Sequence, residues 1–243
     1  MNFQKFEDLF SPARVSRYML TASNNKRKAQ KLYCANLKVA AAFHPLLGLT
    51  EIIIRNRINA VLSNHFNDSD WIVNQVSGFM ADSSLMRTNR MTGRPEPDHY
   101  LKKEVNKAIS RFRASNTPIT SGKIIAEQTF GFWTELFEPK YYRLIAGRPI
   151  QAFTRLPVGY NRRLILNELT TIRQFRNRIN HNEPICFDQN NNLDFTAALE
   201  VYNSIRNMLT WIDGDLITLV NKLDQVPTTV KKAENILSWW NFF

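Results

Sequence analysis

The sequence predicts an all-α fold, and three observations predict it. Only 8 glycines are spread over 243 residues, too few for the turns of a hairpin-rich sheet protein. Leu, Ile, Ala, Arg and Asn are abundant, as in helices joined by polar loops. Apolar residues also recur every three to four positions over long stretches, most clearly at 161–182. Hydrophobic residues make up 44% of the chain and aromatics 12%, enough for a packed core and contrary to a disordered tail. The length suits one large domain or two small ones.

Taken in order, Ser11-Pro12 reads as a helix start, with proline at the first helical position. A helix is expected from about Asn25 to Phe43, basic on one side through KRKAQK (26–31) and Lys38. Pro45 is expected to restart the helix. The stretch after it, LLGLTEIIIRNRINAVL, is apolar on most faces, the pattern of a helix at the centre of a bundle. Residues 67–98 mix turn formers with scattered apolar residues and read as an irregular connection or small insertion. Helical patterning returns at 99–114, 121–145 and 161–182. A long helix follows that breaks near Asp213-Gly214, and a short one ends in SWWNFF. Its Trp239, Trp240, Phe242 and Phe243 are expected to dock on the core. No period of 20–50 residues repeats, which excludes a solenoid.

Lys and Arg total 32 against 21 Asp and Glu, a net charge of +11. The excess is dispersed through the helices and favours a polyanionic partner. Cys34 and Cys186 lie far apart without Cys-x-x-Cys or Cys/His spacing, so neither a disulfide framework nor a zinc site is expected. No glycine-rich phosphate loop and no carboxylate cluster point to an NTPase or a two-metal nuclease, and no cofactor is expected. MNFQKFEDLF lacks a signal pattern. The apolar run VAAAFHPLLGLTEIII is interrupted by His44, Pro45 and Glu51, so the reading is a cytoplasmic protein with no membrane span.

One segment is spelled twice. Residues 55–60 read RNRINA and residues 176–181 read RNRINH. On the helix carrying the second copy, Ile165, Leu169, Ile172, Phe175 and Ile179 form one stripe at 100° per residue, and Arg176 falls within it. Arg173, Asn177, Asn180 and His181 fan out along one edge, and Pro184 ends the helix soon after His181. An arginine at a core edge can simply snorkel, and a histidine near a helix end can complement its dipole. The chemical reading is RNA cleavage without a metal. That reaction needs a base for the 2′-hydroxyl, an acid for the leaving oxygen and a cation for the phosphate. Histidine suits either proton transfer, arginine grips phosphate through two donors, and Asn177 can orient a phosphate oxygen or the imidazole. One histidine supplies half of such a site, so the other half is expected from a second copy in a two-fold dimer. In the first copy Arg55 lies four residues after Glu51, spaced for an ion pair inside the bundle. The alternative is that Glu51 and Arg55 line the same polar cleft as Arg176.

RNRINH resembles the Arg-x(4–6)-His signature of the HEPN superfamily. EIIIRNRI (51–58), FGFWTELF (130–137), TIRQFRNRINHNEPI (171–185) and LTWID (209–213), in this order, resemble the Abi-type abortive-infection proteins of bacteria, over about residues 30–220. The resemblance implies one all-α, HEPN-like helical bundle over 1–243; the extra helices and the irregular insertion at 67–98 are additions that the resemblance does not cover. It further implies a homodimer with a composite site and RNA cleavage leaving a 2′,3′-cyclic phosphate, used as a toxin against phage-infected cells. Arg176 and His181 then match the catalytic pair and Asn177 the polar residue after the arginine. Glu51, Arg55 and Asn56 match a supporting family feature, with Arg173 and Asn180 beside the site. RNA is the implied partner, including a small RNA encoded alongside. The second reading is a non-catalytic protein that holds such an RNA with the same residues.

Overall fold

The computed structural model describes residues 1–238, so the aromatic residues Trp239, Trp240, Phe242 and Phe243 lie outside the described residues. The chain is mostly helical. It divides into two compact units, one from Met1–Leu49, Gln174–Thr210 and the segment from Gly214 onward, the other from Thr50–Arg173 and Trp211–Asp213.

Helix α1 (Phe3–Phe10) is capped by Asn2, whose side chain accepts the Lys5 N–H at 2.9 Å. Ser11 then opens α2 (Pro12–Thr21) with Pro12 in the first turn, as the sequence predicts. Helix α3 (Lys26–Phe66) starts where the Asn25 side chain accepts the Lys28 N–H at 3.0 Å, and it runs for 41 residues with Pro45 inside it. This corrects the expectation of a restart at Pro45. Proline removes one backbone donor and crowds the carbonyl four residues before it. Here Ala41, His44, Pro45 and Gly48 all lie on the exposed side, where water can satisfy the Ala41 carbonyl. The helix therefore loses one hydrogen bond and continues. By length and composition alone α3 is long and apolar enough to cross a membrane, a test that a core helix also passes, and 39% of its most apolar window is buried within the protein.

The segment 67–98 holds more order than its composition suggests. It contains α4 (Trp71–Asn74), a 3-10 turn at Phe79–Ala81 and an antiparallel pair, β1 (Met86–Thr88) with β2 (Pro95–Pro97), in register Arg87 to Glu96. The Glu96 carboxylate accepts from Arg87 Nε at 2.7 Å and from Asn89 at 2.8 Å. Both contacts hold its pKa below the ordinary carboxylate value, that of Asn89 more strongly. Helix α5 (Tyr100–Ala114) follows. The expected helical region 121–145 is three short helices, α6 (Ser121–Glu127), α7 (Phe130–Glu135) and α8 (Pro139–Leu144). Gln128 turns extended, and its side chain donates to the Ile124 carbonyl at 3.1 Å, closing α6. Glu138 is extended because Pro139 follows it.

Helix α9 (Arg162–Asn180) carries the second copy of the repeat. The long helix expected to break near Gly214 is α10 (Thr196–Ile212) and α11 (Leu216–Leu223), and α12 (Val226–Ser238) closes the described chain. In the first unit, Phe6, Tyr18 and Tyr33 pack edge to face, and Phe43 meets Phe175 at 4.8 Å between ring centres. In the second, Trp71, Phe130, Phe132, Trp133, Phe137 and Tyr141 are buried, as are Ile54 and Ile58. FGFWTELF is therefore largely core.

Candidate functional site

The stripe predicted on α9 is the buried one. Ile165, Leu169, Ile172, Phe175 and Ile179 are all inaccessible to solvent or nearly so. Arg176 is half-buried at its margin, and Asn177, Asn180 and His181 are exposed. Long guanidinium stems commonly lie so, with apolar carbons against the core and the charged head outward.

The helix ends by a defined motif. The His181 N–H still bonds to the Asn177 carbonyl at 2.9 Å. The Asn182 N–H then reaches the Ile179 carbonyl at 2.9 Å and the Glu183 N–H the Arg178 carbonyl at 2.8 Å. This crossed pair is a Schellman cap, which needs a left-handed residue after the helix. Asn182 supplies it at φ 52°, and asparagine tolerates that conformation better than most residues. Arg178 turns back to its own end, pairing with Glu183 at 3.6 Å and donating to the Pro184 carbonyl.

Other elements of the same unit hold the following loop. Arg14 of α2 donates to the Asn182 carbonyl at 3.4 Å. Asn36 of α3, 1% exposed, accepts the Ile185 N–H at 2.8 Å. Arg17 of α2 donates to the Asp188 carbonyl and the Asn191 side chain, each at 2.7 Å, and lies over the Phe187 ring. His181 thus projects from a helix end pinned on both sides. Sequence reasoning missed Arg14, Arg17 and Asn36, which are distant in the chain. It also passed over Arg178, whose contacts exist only once the chain has turned at Asn182.

The first copy, in the second unit, uses the same letters differently. Ile58 is buried, and Asn59 accepts the Trp71 indole N–H at 2.9 Å. Arg55, half-buried, donates to the Ala126 carbonyl at 3.4 Å and contacts the Asn56 side chain at 3.5 Å. Asn56 and Arg57 are exposed and Glu51 is half-buried. Arg173, in this unit, is half-buried beside α7. A methyl group built on Gly131 would lie 3.6 Å from its guanidinium and 3.4 Å from the Tyr100 hydroxyl. Burial raises the pKa of that hydroxyl, and the nearby Glu104 adds to the effect.

Within the first unit the structure therefore gathers Arg176, Asn177, Asn180 and His181 at one helix end. It puts Arg173, Glu51, Arg55 and Asn56 in the second unit. Among the described residues no group of three His, Cys, Asp or Glu side chains could hold a metal ion. Burial pushes the Cys186 thiol up to about 12, which keeps it protonated, while Cys34 is exposed. No family model matches this chain, and neither a curated protein nor a solved structure matches it.

Proposed function

We propose that this protein is a cytoplasmic, metal-independent endoribonuclease of the HEPN type, acting in abortive infection, with its site completed across a homodimer. The observation that carries the reading is the end of α9. A half-buried arginine is followed by an exposed asparagine and an exposed histidine, one helical turn apart and on a pinned helix end. In this reading Arg176 holds the scissile phosphate and offsets the charge that builds on it. His181 takes the 2′-hydroxyl proton or protonates the leaving 5′-oxygen, and the partner copy's histidine does the other. Asn177 orients a phosphate oxygen or the imidazole. The net charge of +11 favours a polyanionic substrate.

The test is incubation of the purified protein with mixed cellular RNA in excess chelator, beside Arg176→Ala and His181→Ala. Fragments with cyclic-phosphate ends, absent with both variants, are the expected result. Undiminished cleavage by both variants overturns the assignment. Tight binding of RNA that stays intact favours the non-catalytic reading instead.

A further inference from the structure

In the first unit an open groove of about 620 Å³ lies between α3 and α12, a size suited to a bound ligand or a short stretch of polymer. Arg27, Lys31, Cys34 and Lys38 follow one face of α3 along one wall, and Lys232 stands on α12. The buried Ala35 and Ala233, with the half-buried Ile236, supply an apolar floor. Among the described residues no acidic side chain lines the groove, and Arg27, Lys38 and Lys232 make no ion pair.

The spacing of the charges selects the ligand. At a rise of 1.5 Å per residue, Arg27 and Lys38 stand about 16 Å apart along the helix axis. A ligand with a single charged head needs cations at one end of its pocket. These cations run the length of one wall, with Lys232 facing them from the other, which fits charge repeated along an extended molecule. An anionic bilayer would meet a flat or convex surface better than a concave one with its apolar residues at the bottom. The cationic walls suit phosphates, and the floor suits the apolar faces of sugars and bases.

We propose that this groove binds single-stranded RNA along its phosphate backbone, adding affinity through residues distinct from Arg176, Asn177 and His181. The inference rests on the reading of the protein as one that acts on RNA. KRKAQK contributes Arg27 and Lys31 to the groove, whereas Lys26 lies over the Phe3 ring.

The test uses the full chain, an oligouridylate RNA and the triple variant Arg27→Gln, Lys38→Gln, Lys232→Gln, with unchanged thermal unfolding as the control for folding. Binding is measured in the His181→Ala background, so cleavage does not enter. At roughly 0.1 M salt the triple variant should bind on the order of tenfold more weakly. Its log–log salt slope should be shallower by about 2, at roughly 0.7 per lost phosphate contact. Cys34 lies in the groove and Cys186 is buried, so iodoacetamide reads occupancy directly, and RNA should slow Cys34 alkylation several-fold. Unchanged affinity and slope, or alkylation that RNA does not slow, overturns the proposal. So does a variant that loses binding to phosphatidylserine vesicles while keeping RNA. A protein that cuts no RNA yet shows the expected losses overturns the cleavage reading alone. Cleavage with no change in binding overturns the groove alone.

Discussion

Five identical letters, RNRIN, do different work in two helices of this protein. In α3 they run through the body of a helix, and the asparagine at 59 is taken up by the Trp71 indole. In α9 they run to the helix end, where the asparagine at 180 is exposed and the middle arginine, Arg178, caps the turn it has just formed. In burial the copies agree at three positions, with Arg55 and Arg176 half-buried, Asn56 and Asn177 exposed, and Ile58 and Ile179 buried. They part in what Asn59 and Asn180, and Arg57 and Arg178, touch. The apolar residue of a helical segment is set by periodicity, whereas its polar residues take whatever the neighbouring chain offers. A shared pentapeptide therefore says little about a site until its position along the helix is known.

The largest predicted difference between the copies is in RNA cleavage. His181→Ala and Arg176→Ala should each lower the cleavage rate at least ~10²-fold, read from fragment yields. Adding Ala60→His to the His181→Ala variant should restore nothing, since position 60 continues mid-helix. Restored cleavage there would mean that the hexapeptide, and not its place at a pinned helix end, makes the site.

The isoleucines should behave alike. Ile58→Ala and Ile179→Ala should each destabilise the fold by about 2–5 kcal/mol in urea unfolding, from lost burial plus the cavity left behind. A clear difference between them would show that the two cores are not equally packed.

The asparagines should part. Asn59→Ala strands a buried-side indole N–H and should destabilise by about 1–3 kcal/mol. Asn180→Ala at an exposed site should stay within roughly 0.5 kcal/mol. Equal effects would remove the distinction drawn from the Trp71 contact.

The smallest effect concerns the cap. Asn182→Gly should change stability by no more than about 1 kcal/mol, since glycine adopts the left-handed conformation without strain, while Asn182→Ala should be the worse of the two. Thermal unfolding of the pair reads the order, and Ala at or above Gly would contradict the left-handed cap.

Much of the helical layout was legible. The α2 start at Ser11-Pro12, the α9 stripe and the break near Gly214 all follow from local chemistry that acts within a few residues. The errors arose where local rules met a permissive setting. Pro45 did not interrupt α3, because the Ala41 carbonyl that loses its donor lies on the exposed side of the helix. The short β1–β2 pair in 67–98 lacks the alternation that announces a buried strand, being exposed almost throughout.

The order of apolar residues along the chain was enough to establish helices, their buried faces and the place of His181 close to a helix end, because periodicity and proline sterics are properties of neighbouring residues. It could not establish that Asn36, Arg14 and Arg17 would hold the loop after His181. Nor could it assemble a cationic groove from α3 and α12, two helices nearly two hundred residues apart. Hydrogen bonds and Coulomb forces act over a few ångströms of space and are indifferent to separation along the chain, so those partnerships came into being only when the chain packed.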